Sequence, residues 1–147
     1  MASPMRNLAQ FVVLAFIVIG LMLFFRGGGG GGAVAHPAIF ATEPLDTVLA
    51  QSAQDGRPVL VKFTASWCPP CKVMDREVFG RAAIAEELSK RARVVAVDID
   101  EHKDLAQRYN VQAIPTMVLI IGGEVKARAE SGMDGEELLA WMDRAGK

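Results

Sequence analysis

The only two cysteines in the 147 residues stand together in Trp67-Cys68-Pro69-Pro70-Cys71-Lys72. Two intervening residues bring the sulfurs within bonding reach when the second cysteine lies on the first turn of a helix. There the backbone N–H groups and the positive helix end favour the thiolate of the first. That is the chemistry of a reversible disulfide. Other uses of the pair fit less well. A zinc site needs four ligands, and beyond the cysteines the chain offers only His36 and His102. A static disulfide closing so short a loop removes little entropy from the unfolded chain. Two thiolates could hold copper(I), but such a site usually recruits a further Met or His. The nearby Met74 fits the apolar stripe of a helix better.

The cysteines need elements to hold them. Just before them, Val59–Thr64 is short, β-rich and mostly apolar, which predicts a buried strand. After them, Val73, Met74, Val78, Ile84 and Leu88 recur at helical spacing with charges between. The full reading is helix Pro44–Gln54, strand Val59–Thr64, helix Pro69–Arg91, strand Val94–Ile99, helix Lys103–Tyr109, strands Thr116–Ile121 and Glu124–Ala129, and helix Gly135–Arg144. Gly122-Gly123 marks the turn of a hairpin, and no internal repeat is visible. Asp100 and Glu101 are expected to cap the helix that follows, and His102 to be an exposed helix residue.

With the strand, the CxxC, Ile114-Pro115-Thr116, the hairpin Met117–Ala129 and Gly132 before a final amphipathic helix, the chain resembles the thioredoxin superfamily from about Ala41 to its C-terminus. Phe63-Thr64-Ala65-Ser66-Trp67-Cys68, followed by Lys72-Val73-Met74 and Glu77-Val78-Phe79, is similar to the periplasmic C-terminal domain of the DsbD membrane electron-transfer proteins. The resemblance implies an α/β thioredoxin fold, a central mixed β-sheet flanked by helices, and a thiol–disulfide oxidoreductase that needs no cofactor. It implies that Cys68 is an exposed nucleophile that attacks a substrate disulfide and that Cys71 resolves the mixed disulfide. Pro115 would be a cis-proline facing the pair, leaving the backbone at Ile114 free to bind an extended substrate. Trp67 would line that surface. The plainer alternatives are an ordinary loop proline at Pro115 and a core tryptophan at Trp67.

Three positions bear on the redox poise. Thioredoxins carry a buried Asp at the place of Lys62, paired with a Lys at the place of Ala96; here the acid is missing. Lys62 shares one strand face with Leu60 and Thr64. It is expected either to pair with Asp98 and depress a cysteine pKa, or to snorkel to solvent at the strand end. Pro69 and Pro70 have no N–H to offer the Cys68 sulfur, which weakens the thiolate and favours a reductant. Lys62 pushes the other way.

The N-terminus carries the remaining information. Leu8–Phe25 is an apolar run of 18 residues broken by Gln10, and Arg26 and six glycines, Gly27–Gly32, follow it. The run reaches the length of a membrane span, and the glycines would serve as a tether. The expected organisation is a cytoplasmic N-terminus over 1–7, a transmembrane signal anchor over 8–25, a Gly-rich linker over 26–40 and the domain over 41–147. The alternative is a signal peptide cleaved after Ala33-Val34-Ala35, leaving a free periplasmic protein. Either way the domain is expected in an oxidising space, a bacterial periplasm facing the inner membrane. Expected partners are protein disulfides, apocytochrome c among them, and a transmembrane electron donor. A net charge of −1 without a basic stripe argues against nucleic acid.

Overall fold

Strand β1 (Val59–Thr64) is buried along its whole length. A strand covered on both faces needs a neighbour on each edge and helices above and below. The computed structural model describes residues 37–147 and supplies both. β2 (Arg93–Asp98) pairs parallel with β1, setting Lys62 opposite Ala96. β3 (Thr116–Ile121) pairs antiparallel on the other edge, setting Lys62 opposite Met117. β4 (Glu124–Ala129) completes the mixed sheet in the order β2-β1-β3-β4. Gly122 and Gly123, with φ of 61° and 81°, make the β3–β4 turn that side-chain-bearing residues resist.

Side chains alternate across the sheet. Val59, Val61 and Phe63 join Val118 and Ile120 under α1 (Leu45–Asp55) and the short α4 (Lys103–Arg108). Leu60 joins Met117 and Leu119 on the opposite face. That face is covered by α2 (Pro69–Met74), α3 (Ala82–Arg91) and α5 (Gly135–Ala145), through Met74, Leu88 and Leu138. The predicted fold class, a mixed sheet flanked by helices, is the observed one.

Most predicted elements lie within one residue of the observed bounds, but the helix expected over Pro69–Arg91 is three pieces. α2 passes into a π-helical turn, Asp75–Phe79, and α3 restarts after Gly80-Arg81. Glycine permits this close approach: a Cβ on Gly80 would stand 2.8 Å from the Asp75 carbonyl oxygen and 2.9 Å from that of Arg76. Val73, in α2 ahead of the break, is 47% exposed, while Met74, Val78, Ile84 and Leu88 are buried as expected.

Phe40, placed at the end of the expected linker, is buried, bridges to Val94 and has its ring 4.8 Å from that of Phe79, tilted by 45°. The packed chain therefore begins before Ala41. The expected membrane segment, most of the glycine linker, the cleavage site after Ala35 and His36 lie outside the described residues. No helix among the described residues is long and apolar enough to cross a membrane.

Candidate active site

β1 ends at Thr64, and the chain turns through Ala65-Ser66-Trp67 into α2. Cys68 is the N-cap, with extended backbone at φ −88° and ψ 104°. Pro69 and Pro70 fill the first helical positions, where a missing N–H breaks no helical bond. The turn brings the sulfurs of Cys68 and Cys71 to 2.01 Å, a disulfide. The N–H of Cys71 donates to the Cys68 sulfur at 3.3 Å, a bond the prolines cannot supply.

In this oxidised state Cys68 is 2% exposed and Cys71 is fully buried. The first cysteine was expected to be exposed. It is instead nearly as covered as its partner, because Ala65, Ile99 and Ile114 pack around the pair. The Ile114–Pro115 peptide is cis, and Ile114, in the loop before β3, packs against the cysteines. Arg128 holds that loop from β4: its guanidinium donates to the carbonyl oxygens of Tyr109 and of Asn110, the latter at 2.6 Å. Nothing in the sequence singles out Arg128.

Trp67 is 59% exposed, which excludes a core role. Its indole N–H donates to Asp100 at 2.7 Å. Asp100 was expected to cap α4; instead it holds the indole and donates its own N–H to Asp98. α4 starts after an exposed His102 with no side-chain cap. An open apolar depression of about 320 Å³ adjoins the motif, lined by Pro70, Val73, Met74, Val78 and Met133.

Lys62 departs furthest from expectation. It neither pairs with Asp98 nor reaches solvent: its side chain is fully buried, and its ammonium lies 2.5 Å from the Asp75 carboxylate. The ammonium also donates to the Cys71 carbonyl oxygen at 3.3 Å and sits 5.7 Å and 5.5 Å from the ring centres of Phe40 and Phe79. The register explains the miss. Asp98 stands opposite Thr64, one pleat further along, whereas α2 and its π turn cross directly over Lys62. Burial pushes the Lys62 pKa down from its ordinary value, and Asp75 holds it up. Among the described residues no group of three or more His, Cys, Asp or Glu is placed to hold a metal.

This geometry has counterparts. The thioredoxin family profile matches residues 38–144. The chain is 36% identical over 81 residues to thioredoxin 1 of Chlorobaculum tepidum, covering 55% of this chain and 77% of that one. It is 35% identical over 91 residues to thioredoxin C-2 of Corynebacterium nephridii, covering 59% and 78%. Among solved structures it is similar to a thioredoxin of Thermus thermophilus, with a TM-score of 0.61 and 28% identity over 70% of this chain and 84% of that one. A disulphide isomerase of Xylella fastidiosa shares the fold at a TM-score of 0.62 and 21% identity, over 78% of this chain and all of that one. A CxxC disulfide capping a helix beneath a cis-proline loop, on this sheet and with these relatives, identifies the chain as a member of the thioredoxin family and a thiol–disulfide oxidoreductase.

Proposed function

We propose that the protein is a membrane-tethered reductase of protein disulfides on the periplasmic side of a bacterial inner membrane, akin to the C-terminal domain of DsbD. Cys68 attacks the client disulfide and Cys71 resolves the mixed disulfide. The Ile114 backbone beside Pro115 pairs with the extended client, and Trp67 flanks it. The observation that carries the reductase assignment is the single backbone N–H, from Cys71, on the Cys68 sulfur. Helix ends stabilise a thiolate chiefly through such bonds. With prolines at the two intervening positions, the reduced form gains less and the electrons are given up more readily. The tether rests on the sequence, where the apolar run Leu8–Phe25 and six glycines precede the domain.

In an oxidising compartment such a reductase needs a supply of electrons, so a transmembrane donor re-reduces Cys68–Cys71, and apocytochromes awaiting haem are suitable clients. A second reading, oxidase or isomerase, draws support from the buried Lys62 cation, which favours thiolate. The equilibrium reduction potential of the full-length protein against a glutathione couple separates the two. A value near or below about −220 mV supports the reductase, and one above about −150 mV overturns it. Labelling Cys68 in reduced, intact cells with a membrane-impermeant thiol reagent tests the sidedness. A domain that labels only after lysis contradicts the periplasmic placement.

A further inference from the structure

A lysine with no exposed surface, in the middle of a central strand, calls for a reason. Lys62 is fully buried, and its register neighbours on the two flanking strands, Ala96 and Met117, carry no charge. The rings of Phe40 and Phe79 stand beside its ammonium, and the charged group that meets it is Asp75, which retains 18% exposure. Removing an ion pair from water commonly costs more than the pair returns. Stability is therefore a poor explanation for it.

Position is a better one. The ammonium bonds the carbonyl of Cys71 itself. Asp75 lies one helical turn beyond Cys71, its N–H bonded to that same carbonyl oxygen, so residues 71 and 75 share a helix face. Asp75 also opens the π-helical turn, a rare distortion that recurs at functional sites. Lys62 thus meets both the backbone of the second cysteine and the Asp75 carboxylate, which lies on the side nearest water.

We propose that Asp75 is the proton acceptor for Cys71 and that Lys62 is a positioning residue that lets its counter-ion change from carboxylate to thiolate. This rests on the reading that Cys68 attacks and Cys71 resolves. In the mixed disulfide the S–H bond of Cys71 breaks, and its proton passes to Asp75. Lys62 stays charged throughout, paired first with the carboxylate and then with the thiolate, so no buried charge is left alone at any stage. The Cys71 sulfur attacks that of Cys68; the Cys68–Cys71 bond forms as the Cys68–client bond breaks. The electron pair leaves on the client sulfur, which takes up a proton from water, and Asp75 returns its proton to solvent through its exposed edge. The client gains two electrons and the dithiol loses two.

The test is a stopped-flow reaction of the reduced full-length protein with a chromogenic aryl disulfide of the nitrothiobenzoate type, at concentrations where the first attack is fast. The first release of coloured thiolate reports Cys68, and the second reports resolution by Cys71. Asp75→Asn is expected to slow the second phase at neutral pH by about 100-fold, the scale of a lost general base, with the first phase unchanged. The residual rate should rise about tenfold per pH unit, as free ionisation of Cys71 takes over, and Asp75→Glu should restore most of the parent rate. If Asp75→Asn leaves Lys62 too poorly paired to fold, Lys62→Met/Asp75→Asn removes both charges and is expected to lose the second phase alike. A second phase within threefold of the parent in either variant overturns the proposal. A first phase that survives Cys68→Ser overturns instead the assignment of the attacking cysteine.

Discussion

The two faces of β1 are built to different rules. One, Val59, Val61 and Phe63 beneath α1 and α4, is wholly apolar. The other begins with Leu60 and ends with Thr64, and between them it holds a buried lysine. Both are equally buried, so solvent access does not distinguish them. What differs is what lies above: α1 and α4 on one side, and on the other α2, α3 and α5, of which α2 carries Cys71. The apolar face holds the sheet together, and the charged face serves the cysteines.

That contrast can be broken from either side. The largest effect is expected on the apolar face. Phe63 has no exposed surface and its ring lies 5.5 Å from that of Tyr109, and Phe63→Ala should cost about 3–5 kcal/mol in denaturant unfolding. The turnover of the molecules that remain folded should be unchanged. On the charged face the sign reverses. Lys62→Met/Asp75→Leu replaces a buried ion pair by apolar side chains and should match the parent or exceed its stability, by up to about 4 kcal/mol. Resolution by Cys71 should slow nevertheless. Because burial lowers the Lys62 pKa, the unfolded chain holds that proton more tightly than the folded one. The parent therefore gains stability as pH rises toward 10.5, and the margin of the double variant should narrow.

The link between the turn and the site can be tested separately. Gly80→Ala puts a Cβ against two backbone oxygens of the π turn, a clash worth about 1–3 kcal/mol. This outweighs the roughly 0.4–1 kcal/mol that the substitution gains by restricting the unfolded chain. Chemical denaturation should show the net loss, and the second stopped-flow phase should slow as Asp75 is displaced.

The smallest effect lies away from both faces. Arg93 and the N–H of Arg57 hold the Asp55 pKa down to about 2. Its contribution is complete above its ordinary value of 3.8 and is lost as pH falls from there toward about 2. The Tm difference between parent and Asp55→Asn should close over that interval and be flat above it.

Much of this was legible in the sequence because it is local. The CxxC at a strand–helix junction, the alternation of β1 and the Gly122-Gly123 turn are each contained within a few residues. The pairing of Lys62 with Ala96 came with the resemblance to thioredoxins, and the observed register agrees. The partners of Lys62 and Trp67 were not. Asp75 lies 13 residues beyond Lys62 and reaches it only because the expected helix distorts, and a helical spacing pattern carries no mark of a π turn. Asp100 lies 33 residues from Trp67. Read alone beside Glu101, it looked like a helix cap. The resemblance implied an exposed Cys68, but its cover comes from Ile99 and Ile114, which the fold brings from other elements.

The central claim is that the charge on Lys62 acts on the cysteine pair rather than on stability. The most direct test is an ultraviolet titration of thiolate absorbance in the reduced full-length parent and in Lys62→Met. A cysteine pKa higher by at least about one unit in the variant, or about 1.4 kcal/mol of lost thiolate stabilisation, is the predicted result. Superimposable titration curves, with a lowered Tm for Lys62→Met, would make the lysine a structural residue and contradict the account.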